Sequence, residues 1–102
     1  MIQANSAVER TRKADIMAVQ FFNRSRSYDA TRQAVHFWGY DGAMETSFFV
    51  TADALRRFQP NLRIAADFLE TFDLNLDRIH ESAKRVYARG RRGSYNLSAA
   101  DF

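Results

Sequence analysis

Two histidines, a short acidic series and a basic cluster hold the side chains whose chemistry invites a reactive site. His36 lies in a β-prone run and His80 in a helical one. The 102 residues contain no cysteine, so neither a thiolate metal site nor a thiol nucleophile is available. Asp77, His80 and Glu81 present one imidazole and two carboxylates from a single helix, but they fan across a wide arc, whereas a metal needs three or four converging ligands. There is no Gly-x-Ser-x-Gly elbow. The stretch Gly90, Arg91, Arg92, Gly93 lacks the Lys-Ser/Thr pair and the preceding strand of a phosphate loop. The expectation is a protein that is not an enzyme and carries no catalytic residue, cofactor or metal.

Two further sets point to binding. Lys84, Arg85, Arg89, Arg91 and Arg92 form a candidate anion or nucleic-acid patch, although bases near the end of a helix also oppose its macrodipole. Fifteen basic residues face 12 acidic ones, a net charge of +3, which is a weak field for an anionic partner. The second set is aromatic. His36, Trp38, Tyr40 and Phe49 have the ring surfaces that stack bases or anchor a protein interface.

Positioning these rings falls to one stretch, 35–51. Two runs rich in aromatic and β-branched residues flank Asp41 and Gly42, a strong signal for a hairpin with a two-residue type I′ turn. That turn pairs Tyr40 with Ala43, Trp38 with Glu45, Phe37 with Thr46 and His36 with Ser47. Alternation then separates two faces. Val35, Phe37, Gly39, Met44, Thr46, Phe48 and Val50 make an apolar core face. His36, Trp38, Tyr40, Ala43, Glu45, Ser47 and Phe49 make a mixed face that no simple core explains. Such a face on a small protein needs cover, so the preferred expectation is a binding or assembly module that uses it to form a homodimer or to bind a protein partner. Nucleic acid binding through the 84–92 cluster is the alternative.

The flanking elements follow from local signals. Residues 1–20 have too few apolar positions for a firm stripe and read as a flexible extension, leaving 21–102 as a single domain. A short edge strand is expected near Tyr28. Thr51 is a good N-cap for a helix over 52–58 that Pro60 ends. Asn61 is placed to cap a long helix over 62–89, whose stripe of Ala65, Phe68, Leu69, Phe72, Leu76, Ile79, Ala83, Val86 and Tyr87 keeps a helical period. Leu74 falls off this stripe, and about 28 residues would span about 42 Å, more than the hairpin covers. The unbroken phase favours one continuous helix. A last strand spans 93–98.

Several runs carry a resemblance: 25–32 (SRSYDATR), 35–42 (VHFWGYDG), 47–50 (SFFV), 78–80 (RIH), 86–89 (VYAR) and 93–102 (GSYNLSAADF). Over residues 21–102 the chain resembles a family of small bacterial proteins known as a domain of unknown function. The resemblance implies a compact α+β domain, and it implies no activity, cofactor or catalytic residue. Family members begin near the position of Met17.

The expected architecture is therefore α+β in two layers: an antiparallel sheet built on the 35–50 hairpin, with a short helix and one long helix packed on one face. Its core is expected to contain Val35, Phe37, Met44, Phe48, Val50, Leu55, Phe68, Phe72, Ile79, Ala83 and Val86. No apolar run is long enough to span a membrane and no signal peptide is visible. With no cysteine, this places the protein in the cytoplasm as an expectation.

Overall fold

Alternating apolar residues pair four strands edge to edge in chain order. The computed structural model describes residues 19–102: β1 (Arg26–Asp29), β2 (Ala34–Asp41), β3 (Met44–Thr51) and β4 (Ser94–Leu97) form one sheet in the order β1-β2-β3-β4. Three helices, α1 (Ala52–Arg56), α2 (Ala65–Leu74) and α3 (Leu76–Ala88), connect β3 to β4, and a 3-10 turn (Ala99–Asp101) closes the chain. The protein is an α+β domain in two layers, as expected. Among the described residues no helix is long and apolar enough to cross a membrane.

The hairpin keeps its faces but changes its turn. Asp41 pairs with Met44, so Gly42 and Ala43 form the loop, and Phe37 pairs with Phe48 rather than Thr46. Gly42 takes φ +62 while Ala43 stays at negative φ. That is the type II′ pattern, with glycine first, in place of the expected type I′ turn. Because the partner moves by an even number of residues, every side chain stays on its expected face.

The sheet is mixed, not antiparallel throughout. β1, β2 and β3 pair antiparallel, but β4 runs parallel to β3, Phe48 beside Tyr95 and Val50 beside Leu97. Three helices between β3 and β4 carry the chain back to the starting end of the sheet, and a return of that length delivers a parallel strand.

The expected long helix is two helices. Asn75 leaves the helical region at φ −120, ψ 25, and its side-chain Nδ2 donates to the Thr71 carbonyl at 2.9 Å. In an unbroken helix the Asn75 backbone N–H would take that carbonyl; here the N–H turns to Phe72 O at 3.2 Å instead. The break shortens the helices to roughly 15 Å and 20 Å, so both remain over the sheet, and Leu74 at the joint is left 76% exposed. Asn61 caps neither. α2 begins only at Ala65, where the Asp67 carboxylate accepts from the Arg63 and Ile64 N–H groups. Thr51 does cap α1, its Oγ1 accepting from Ala54 N–H at 3.1 Å.

Val35, Phe37, Phe48, Val50, Leu55, Phe68, Phe72, Ile79, Ala83 and Val86 are all buried, so every expected core residue but one is in place. The exception is Met44, 61% exposed because it sits at the tip of the hairpin beyond the reach of the helices. Tyr95, Leu97 and Val19 join the core. Val19 is fully buried, and Gln20 exchanges two backbone hydrogen bonds of 2.7 Å with Tyr40. These two residues therefore belong to the domain and not to the extension, whose remaining residues, 1–18, lie outside the described ones.

Candidate functional site

α2 and α3 pack on the Phe37 and Phe48 side, where Phe72 lies 5.1 Å from Phe37, Phe68 5.1 Å from Tyr28 and Tyr87 6.3 Å from Phe48, and Leu55 of α1 joins the same core cluster. No described helix covers the opposite face. The register places Ser27 and Asp29 of β1, His36, Trp38 and Tyr40 of β2, Glu45, Ser47 and Phe49 of β3, and Ser94 and Asn96 of β4 on it. The sequence-predicted aromatic set is thus brought together along the two central strands.

Its rings contact one another. The His36 imidazole lies 4.1 Å from Trp38 and 4.3 Å from Phe49, and its Nε2 shares a 3.0 Å hydrogen bond with Ser47 Oγ. Burial, followed by the nearby Arg32 charge, lowers the His36 pKa below the ordinary imidazole value, which favours the neutral ring. The turn after β1 positions Arg32: Asp29 Oδ1 accepts from the Arg32 N–H at 3.0 Å, and Gln33 adopts a left-handed φ of 51. The guanidinium then rests 4.2 Å above the Phe49 ring. Phe49 is only 3% exposed. It supports its neighbours but is not itself free to touch a partner, which removes it from the candidate contact set. At the other end of the face, Tyr40 donates to Glu45 Oε2 at 2.8 Å, a bond that raises the Tyr40 pKa because it favours the protonated phenol.

One exposed aromatic residue beside this face was missed from sequence. Phe22 is 75% exposed, and its ring lies 6.4 Å from that of Tyr40. Val19 and Phe21 point into the core while Gln20 and Phe22 alternate with them. Four residues with period two were the available signal, too short to separate from loop.

The basic cluster does not join this face. Lys84, Arg85 and Arg89 lie on α3 or at its end, on the helical side, and each has a partner. Lys84 is 3.8 Å from Glu81, Arg85 donates to the Asp101 carbonyl at 3.2 Å, and Arg89 meets Asp101 Oδ1 at 3.3 Å. Arg91 and Arg92 are exposed in the loop before β4, with the Arg92 N–H donating to the Tyr95 hydroxyl. His80 is also placed away from the sheet's open face. It stacks on Phe21 at 4.1 Å and 6°, half-buried, with its pKa lowered by burial. It lines a cleft of about 420 Å³ whose Arg26 and Asp73 are paired with each other at 2.7 Å. Among the described residues no three His, Cys, Asp or Glu side chains gather into a metal-holding group.

Near the hairpin tip, Tyr87 donates its hydroxyl to Asp41 Oδ2, and this bond, with burial second, pushes its pKa up to about 12. The folded value exceeds the unfolded value of roughly 10. The contribution is thus complete below pH 10 and is lost as pH rises toward 12. Tyr87→Phe is expected to cost about 1 kcal/mol at pH 7, the partial exposure of the bond keeping it modest. It should also flatten the fall in stability between pH 10 and 12 measured by urea unfolding. An unchanged alkaline slope would show that the bond does not hold in solution.

The family model described as "Protein of unknown function (DUF1488)" matches residues 19–98. The chain belongs to the DUF1488 family. Val19, where that match starts, is fully buried. A crystal structure of a DUF1488-family protein of unknown function from Shewanella loihica PV-4 superposes with a TM-score of 0.70 at 15% sequence identity, covering 79% of this chain and 92% of that one. At that identity the likeness establishes the shared DUF1488 fold alone. No curated protein matches the chain.

Proposed function

We propose that the protein is a small non-catalytic binding or assembly module that engages a protein surface through Phe22, His36, Trp38 and Tyr40 on the open face of its sheet. The observation that carries this reading is the aromatic row on the central strands, extended by the 75% exposed Phe22, on a face that no described helix covers. Aromatic side chains in such a position are the usual anchors of interfaces. The charge of the face favours protein over nucleic acid: it carries the carboxylates of Asp29 and Glu45 against the single guanidinium of Arg32. Phosphate binding needs a net surplus of cations.

Trp38 is the only tryptophan in the chain, so its emission reports this face alone. Sedimentation over a range of concentrations should show association, with a blue shift in Trp38 emission as it proceeds. Trp38→Ala should weaken it by about thirtyfold, the equivalent of about 2 kcal/mol. On immobilised nucleic acid at low salt, the chain should not be retained. Retention that falls steeply with salt and disappears on Arg91→Glu with Arg92→Glu would instead assign binding to the exposed end of the basic cluster.

A further inference from the structure

Building on the reading that the open sheet face binds protein, we propose that its partner is a second copy of the chain, packed face to face about a twofold axis that crosses the strands at the Trp38–Ser47 pair. The placement of charge on the face selects this occupant. At one end Arg32 lies 4.2 Å above Phe49, and at the other Glu45 accepts from Tyr40 at 2.8 Å. Phe49 and Glu45 lie on β3 at equal distances on either side of Ser47, which pairs with Trp38.

Two sheets meet face to face only if the twofold axis lies in the plane between them. An axis perpendicular to the strands lays β2 on β2 and β3 on β3 in opposite directions. The Phe49 position of one copy then faces the Glu45 position of the other. Arg32 thereby meets Glu45 of the second copy, once on each side of the axis, while Trp38 meets its own equivalent and His36 faces Tyr40. Packed sheets stand about 10 Å apart, a gap that opposed aromatic side chains fill and that arginine and glutamate bridge together. The alternative axis, parallel to the strands, gathers both copies of Arg32 at one end and both copies of Glu45 at the other, placing like charges together. Asp29, 3.8 Å from Arg32, offsets part of its charge and leaves the guanidinium a second acceptor to gain.

The contact is small. Two strands of eight residues and two of four, at about 3.3 Å per residue and 4.8 Å between strands, outline on the order of 400 Å² per copy. That is below the usual stable dimer, so association should be reversible and require high concentration.

Sedimentation equilibrium of the full chain from micromolar to millimolar tests the arrangement. The wild type should form dimers. Arg32→Glu and Glu45→Arg, each alone, should weaken the dimer at least tenfold, because each places like charges in both contacts. An equimolar mixture of the two variants should recover wild-type affinity, since every contact in the mixed pair joins opposite charges, and the double variant should do the same. Circular dichroism and the thermal midpoint check that each variant is folded. Glu45, exposed near the hairpin tip, keeps the test informative if Arg32→Glu perturbs Phe49. A dimer that tolerates both reversals, or one that the mixture fails to restore, overturns the twofold arrangement; the face reading survives if Trp38→Ala still dissociates it. A dimer indifferent to Trp38→Ala as well overturns both. A wild type that stays monomeric to millimolar concentration overturns the second-copy proposal and leaves the face to a different protein.

Discussion

Replacing Phe48 with alanine is expected to destabilise the domain by about 3–5 kcal/mol, a large share of the roughly 5–15 kcal/mol by which domains are stable. Phe48 is fully buried at the centre of the covered sheet face. Its ring centroid lies 5.4 Å from Phe37 on the neighbouring strand, 5.2 Å from Tyr95 on the other side, 5.5 Å from Phe21 and 6.3 Å from Tyr87 of α3. One ring therefore joins the N-terminal segment, three strands and the last helix. Truncation leaves a cavity between elements whose positions are fixed by separate backbone ladders, so collapse into the gap is restricted and the cost falls in the upper part of the range for buried aromatics. Phe48→Leu, which keeps much of the volume, should lose far less. Urea unfolding measures both. A loss below about 1 kcal/mol for Phe48→Ala would mean that the sheet and helices are held together elsewhere.

The burial of Phe48 on the core face follows from the sequence, and the reason is the period of a strand. Alternation between residues 35 and 50 separates the two faces whatever the turn, provided that the register changes by an even number of residues. The move from Asp41 and Gly42 to Gly42 and Ala43 in the loop was such a change. Other features depended on competition between local and tertiary terms. The stripe from Phe68 to Val86 keeps helical phase across the break, so periodicity carried no warning. The overlength of a continuous helix and the misplaced Leu74 were the signals, and both resolve once the side chain of Asn75 takes the Thr71 carbonyl. The parallel pairing of β4 depends on how a connection of three helices returns to the sheet, which short-range pattern does not encode.

The candidate site was legible in outline for the same reason. His36, Trp38 and Tyr40 share a face because they alternate with core residues. Phe49 belongs to that face too, yet it is covered by Arg32, whose position comes from the Asp29 turn rather than from any strand. The basic cluster reads as one surface along the sequence. In space, Asp101 draws Arg85 and Arg89 onto the C-terminal turn, which is a contact between distant parts of the chain and invisible to spacing.

Gly39→Ala should cost about 1–3 kcal/mol, and the loss should be traceable to one place. A Cβ built at Gly39 would lie 2.6 Å from Val19 Cγ2, 2.9 Å from Phe21 Cε1 and 3.0 Å from Phe48 Cε2. The glycine is not needed for its backbone angles here; it is needed because Val19 and Phe21 close over β2 at this point. Val19 is fully buried and is held by the paired hydrogen bonds between Gln20 and Tyr40, so it has little room to retreat. Val19→Ala removes the methyl nearest the intruding Cβ and leaves a cavity of its own, costing about 1–2 kcal/mol. The two changes should therefore be coupled: Gly39→Ala with Val19→Ala should lose less than the sum of the single losses, by about 1 kcal/mol in a double-mutant cycle read from urea midpoints. Simple additivity would show that Val19 does not sit against Gly39. A domain trimmed at its start should follow the same boundary, with removal of residues 1–21 lowering the thermal midpoint by several degrees because Val19 and Phe21 leave the core.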